Sequence, residues 1–274
     1  MSTFSLFPVR AQLGESPVWS AKEQRLYFLD IQGKILHRFD PLTQNDETFS
    51  LETLTGCLVE CPNGNLLIAA QTGIQEVRLT NGKVKILRTL AHPEAANSAN
   101  RYNDGKCSPE GRFWFGSLNM NHEKNRASLY CWDGTKCRTV LTNAINSNGL
   151  GWSPDGKTMY WIDTPTRQVE AFDYEMSVGE LSNRRTLLRF DEDLSWGRPD
   201  GMTVDVSGNL WIAHWDGGRV SQWTADGELL QHIPIPARNV TSLTFGGANL
   251  DTLFITTARG EDSPESGNLF FFKP

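Results

Sequence analysis

The chain predicts an all-β fold, a six-bladed β-propeller in one domain over residues 1–274, closed by pairing of its N- and C-terminal strands in the last blade. Three observations predict it. Helical periodicity is scarce, a phrase of turn followed by aromatic strand recurs along the chain, and the recurrences are spaced like propeller blades. Propeller blades are four-stranded units of about 40 to 50 residues, and closing the circle removes exposed sheet edges.

Taken in order, the phrase appears as "WSAKEQRLYFLDI" from Trp19, "ECPNGNLLIAA" from Glu60, "CSPEGRFWFGSL" from Cys107, "WSPDGKTMYWIDT" from Trp152 and "DVSGNLWIAHW" from Asp205. A weaker copy is "FGGANLDTLFITTA" from Phe245. Each joins turn residues to a run of aromatic and β-branched side chains that favours a strand. The last unit is shared by the chain ends, with "TFSLF" beside "GNLFFFK".

Six residues before the Pro154 position of each copy stand Glu15, Gly56, Asn103, Asn148, Asp200 and Thr241, at spacings of 41, 47, 45, 52 and 41. In a propeller the innermost strands line the axis, so equivalent positions share a ring. Glu15, Asn103, Asn148 and Asp200 can each offer oxygen to it. Asn and Asp singly are ordinary turn residues, and strand propensity does not collect them. Four in register make a hard-ligand set. Two carboxylates and amide oxygens suit one divalent cation, with calcium expected first and magnesium, manganese, zinc or iron as alternatives.

Bulk properties fit. The net charge of −6 lacks the basic excess that nucleic acid or an anionic membrane surface would require. The N-terminus shows no signal-peptide pattern and no run is long enough to span a membrane, so a cytoplasmic location is expected. The five cysteines form no zinc spacing or disulfide framework, and mostly buried, reduced thiols are expected.

"LGESPVW", "NRYNDGK", "SNGLGWSPD", "RPDGM" and "GGRV", together with "FGG" and "TTAR", resemble the SMP-30/gluconolactonase/regucalcin family, in order over nearly the whole chain. The resemblance implies a six-bladed propeller with one axial divalent metal that hydrolyses a small-molecule sugar lactone. Carried over by motif, Glu15, Asn148 and Asp200 would bind the metal, and Arg101 and Asn103 would face the substrate. Animal members carry a glutamate pair after "FAGTM" that contacts substrate hydroxyls. Here "FGSLNMNHEKN" places Asn119 and Asn121 in that region, and Asn121 is the candidate substrate contact. The 119–126 stretch reads either as a solvated loop or as a lid.

Hydrolysing a cyclic ester needs carbonyl polarisation, activated water and a stabilised oxyanion, which an axial metal can serve. Asp200 is the candidate general base, Arg101 a holder of ring hydroxyls or the opened carboxylate, and Asn103 a positioning group. Alternatives are a non-catalytic calcium-binding propeller, a broader esterase, and a protein-binding module, against which the oxygen ring counts.

Other motifs lack the context their chemistry needs. "GESPV" ends in Val18 and lacks the strand-to-helix context of a nucleophile elbow, so Ser16 reads as structural. "DEDLSWGRPDG" from Asp191 has Trp196 where an EF-hand needs glycine and Met202 where it needs glutamate. His214, in "WIAHWDGG", reads as a packed or surface histidine rather than an axial group.

Overall fold

The computed structural model describes residues 4–121, 123–190, 196–261 and 263–274. Within them the fold is an all-β propeller. There is no α-helix among the described residues, only a 3-10 turn at Thr164–Thr166.

The chain runs as successive antiparallel meanders. The first holds β2 (Gly14–Ser20), β3 (Arg25–Asp30), β4 (Ile35–Asp40) and β5 (Asn45–Ser50). The second holds β6 (Thr55–Glu60), β7 (Leu66–Ala70), β8 (Gly73–Thr80) and β9 (Lys83–Ala91). These two form one eight-stranded sheet through a single parallel pair at their outer strands, Ser50 with Lys83. The third holds β10 (Asn100–Cys107), β11 (Phe113–Asn119), β12 (Ala127–Trp132) and β13 (Cys137–Ala144). The fourth holds β14 (Ser147–Trp152), β15 (Thr158–Asp163), β16 (Gln168–Glu175) and β17 (Glu180–Arg189). The fifth holds β18 (Arg198–Val204), β19 (Leu210–Trp215), β20 (Arg219–Trp223) and β21 (Leu229–Pro234). The last sheet takes β22 (Val240–Gly246), β23 (Thr252–Thr257) and β24 (Leu269–Phe272) from the end of the chain, and β1 (Ser5–Phe7) from its start.

That last sheet meets the expected closure. Ser5, Leu6 and Phe7 pair antiparallel with Phe271, Phe270 and Leu269, so β1 covers the edge that β24 would otherwise expose.

Each repeated phrase spans the link from a first strand to its second. In four copies one hydrogen bond closes the turn: Gly64 to Cys61 O, Gly111 to Ser108 O, Gly156 to Ser153 O and Gly208 to Asp205 O. The donor glycine has φ between 68° and 91° each time, a conformation that a side chain would strain. The repeated "NG", "EG", "DG" and "SG" therefore mark one backbone device.

The core lies in layers between neighbouring meanders. Tyr27, Leu29 and Leu36 pack with Leu58 and Ile68, while Trp114 and Leu129 pack with Leu150 and Trp161. The closing layer sets Leu26, Phe28 and Phe39 against Phe254 and Leu269, joining the first meander to the last sheet. Aromatic residues supply large apolar area at such face-to-face contacts. The first strands touch in a closed cycle, β2 to β6, β10, β14, β18, β22 and back to β2. All five cysteines are unpaired, with Cys57 and Cys131 buried and Cys61, Cys107 and Cys137 half-buried.

Candidate metal and substrate site

The positions aligned by the sequence repeat share a backbone feature that no residue pattern announced. In every first strand the pairing register shifts at that point: Glu15/Val18, Thr55/Cys57, Tyr102/Gly105, Asn148/Leu150, Pro199/Met202 and Val240/Ser242. Each is a β-bulge, which bends the strand and re-aims a side chain. A residue that would lie against the next strand is turned out of the ladder there.

Asn148 is 3% exposed. Its Nδ2 donates to Thr164 Oγ1 at 2.9 Å, and Thr164 Oγ1 donates to Pro199 O at 2.8 Å. Because that hydroxyl proton is committed, Thr164 can only accept from Asn148, which fixes the amide with nitrogen toward Thr164 and Oδ1 away from it. Asn148 Oδ1 is then buried without a hydrogen-bond partner, and so is Asp200 Oδ1. Asp200 is 5% exposed and Glu15 6%. Glu15 accepts a hydrogen bond from the Ser16 amide at 3.0 Å.

Burial governs the ionisation of these groups, and neighbouring charges act on them second. Burial, and then the charge of Asp104, pushes Glu15 up to about 8. Burial, followed by Glu15 and Asp104, holds Asp200 well above the usual carboxylate range, with the Asn148 amide and Arg101 opposing. Burial brings the Arg101 guanidinium down to about 10, opposed by Glu15 and Asp200. Converging carboxylates that resist ionisation are what a cation would relieve.

The residues present fit a divalent cation. Two buried acceptors lack any donor, each a cost of about 1–3 kcal/mol, and the donors are hard oxygens. Among the described residues no three His, Cys, Asp or Glu side chains form a metal-holding cluster. The set in question is two carboxylates and an amide, Glu15, Asp200 and Asn148.

The remaining predicted residues divide. Arg101 and Asn103 are buried together: Arg101 Nη1 donates to Asn103 Oδ1 and to Tyr102 O, each at 2.8 Å. Asn103 Nδ2 donates to Asn146 Oδ1 and Ser147 O, each at 3.0 Å, tying β10 to the start of β14. Asn103 thus spends its oxygen on Arg101, unlike Asn148. Asn121 is exposed, and its backbone N–H donates to Asn119 Oδ1. Asn119 is buried and anchors the segment, donating to Asn100 Oδ1 and accepting also from the Glu123 amide. His122 and residues 191–195, on which the lid and EF-hand readings partly fall, lie outside the described residues.

Ser16 Oγ accepts from the Leu58 amide and its φ is 49°, a structural post between β2 and β6. His214 is fully buried against Phe190 and Trp196, its Nε2 at 2.7 Å from Ser221 Oγ, and burial brings it down to about 3. Residues that sequence reasoning passed over are Thr164, which orients Asn148, and the pair Asp104 and Lys106. The latter two stood inside the quoted "NRYNDGK", where alternation puts them on one side of the strand.

Residues 13–259 match a family model described as the SMP-30/Gluconolactonase/LRE-like region. The chain is 36% identical over 254 residues to a 6-deoxy-6-sulfogluconolactonase of Pseudomonas putida, covering 92% of this chain and 86% of that protein. It is 35% identical over 273 residues to regucalcin of Xenopus laevis, covering 94% and 90% respectively. A solved structure of a calcium-binding regucalcin from Agrobacterium tumefaciens aligns with a TM-score of 0.93 over 99% of this chain and 93% of that one. At 22% identity that likeness is one of fold.

Proposed function

The chain belongs to the SMP-30/gluconolactonase/LRE-like family, and from that premise we propose that it hydrolyses a sugar lactone to the aldonic acid at the axial oxygen ring, with one divalent metal ion bound there. The observation that carries this reading is the pair of buried, unpartnered oxygens, Asn148 Oδ1 and Asp200 Oδ1, beside Glu15. The similarity to a protein named as a sulfogluconolactonase supports the substrate class.

Glu15, Asn148 and Asp200 would hold the ion, calcium first among the candidates. A divalent cation bound there supplies Lewis acidity toward a carbonyl oxygen and toward water. Asp200 takes a proton from the attacking water as its oxygen bonds to the acyl carbon. The bond from that carbon to the ring oxygen breaks, and the ring oxygen leaves as a hydroxyl on accepting the proton. Arg101, braced by Asn103 and Tyr102 O, turns its other N–H groups to substrate oxygens. Asn103 holds that guanidinium in place and so orients the sugar. Asn121 follows β11 at the end where Asn119 pairs with Asn100, next to Arg101, and offers its amide to sugar hydroxyls.

The architecture that supports this ring is read as six blades in one domain over residues 1–274. The closed cycle of first strands supports that count, as does the single pair that joins the first two meanders. Unpaired thiols fit a reducing setting such as the cytoplasm, and no helix among the described residues is long and apolar enough to cross a membrane.

The test is a panel of aldonolactones assayed on metal-stripped protein with single divalent ions restored. Ion-dependent opening of at least one lactone is the expected result. Ion binding with no hydrolysis of any lactone would overturn the enzymatic reading in favour of calcium binding alone.

A further inference from the structure

Beneath the ring, on the C-terminal halves of the first strands, lies a cavity of about 400 Å³. Its lining includes Ser16, Asp104, Lys106, Thr203 and Ser242, but neither Asn148 nor Asp200. Lys106 belongs to β10, yet its Nζ donates to Met202 O on β18 at 2.7 Å. In the cycle of first strands β14 stands between those two, so Lys106 reaches past a whole strand. Met202 closes the register shift that contains Asp200. The lysine ammonium is therefore held on the strand of Asp200, against a carbonyl two residues beyond it.

Asp104 lines the cavity and directly follows the ring residue Asn103. It accepts the Gly105 amide at 2.7 Å and acts electrostatically on Glu15 and Asp200. Burial raises its pKa and lowers that of Lys106, and in each case the other residue opposes the effect. The ionisable groups acting around the ring are then the acids Glu15, Asp104 and Asp200 and the bases Arg101 and Lys106. Removing either member of the lower pair shifts the balance of charge in a known direction.

We propose that the buried charges of Asp104 and Lys106 beneath the ring set how tightly the axial oxygens hold a divalent ion. The inference rests on the axial-metal reading. Lost positive charge tightens cation binding, lost negative charge weakens it, and losing both restores the balance.

The experiment is calorimetric titration of Ca²⁺ into metal-stripped wild type, D104N, K106M, D104N/K106M and K106R. K106M is expected to bind about tenfold tighter and D104N about tenfold weaker, with the double variant within about threefold of wild type. K106R, which keeps the charge, stays within about threefold. If K106M and D104N both weaken binding, or neither changes it, the pair is a packing element and the proposal fails. Should K106M not fold, D104N against K106R carries the same test, since the first must weaken binding and the second must not. Absence of any ion binding by wild type would overturn the axial-metal reading itself, and this inference with it.

Discussion

At the bulge of its first strand β14 carries Asn148, and at the equivalent bulge β6 carries Gly56. Asn148 is held by Thr164 so that its oxygen is left without a donor. Gly56 has no side chain to offer, and a Cβ there would come within 2.3 Å of Tyr102 O and 2.4 Å of Asn103 O. Thr241, on β22, resembles Gly56 in role: its hydroxyl donates to Gly14 O across to β2. One backbone device therefore does two jobs. At Glu15, Asn148 and Asp200 it carries buried oxygen-bearing side chains, while at Gly56 and Thr241 it stands where neighbouring first strands meet closely.

That contrast is open to direct challenge. The largest expected effect is at Asp200. Asp200→Asn keeps the size but removes the proton acceptor, and lactone turnover should fall by about a thousandfold. Near wild-type turnover in an ion-loaded variant would remove Asp200 from the mechanism. Gly56→Ala should act on stability instead, by about 3 kcal/mol, because the atoms facing the added methyl are backbone oxygens that cannot step aside. Chemical denaturation reads this, and an unchanged midpoint would mean the strands do not depend on close contact at β6.

A smaller effect follows from Glu15, whose pKa rises from 4.5 to about 8 in the folded chain. Between those values the folded chain keeps a proton that the unfolded chain has lost. The associated stability is complete below about pH 4.5 and is lost as the pH climbs through about 8. Thermal midpoints of metal-free protein should decline across that window, and less steeply in Glu15→Gln. Equal slopes would show that Glu15 is not the group responsible.

Much of this was legible in the residues, for identifiable reasons. The turn phrase repeats because each link from first to second strand reuses one hydrogen bond and one left-handed glycine. Its regular spacing was enough to align Glu15, Asn148 and Asp200. The bulges were not legible, since a register shift depends on two strands and leaves no residue signature in either. Nor was the difference between Asn103 and Asn148. Both are asparagines at ring positions, but Asn103 accepts from Arg101 two residues away, and Asn148 is fixed by Thr164 across a turn. Lys106 stood in a quoted motif, yet its partner Met202 is 96 residues distant, beyond any local pattern.

If the unpartnered ring oxygens hold a divalent ion, Asn148 isolates their contribution, because its side chain has no charge of its own to lose. The most direct measurement is calorimetric titration of divalent ions into metal-stripped wild type and Asn148→Leu. A single ion per wild-type chain is expected, with affinity at least about tenfold weaker in the variant, where one ligand oxygen is gone. Equal affinity in the two proteins would contradict it.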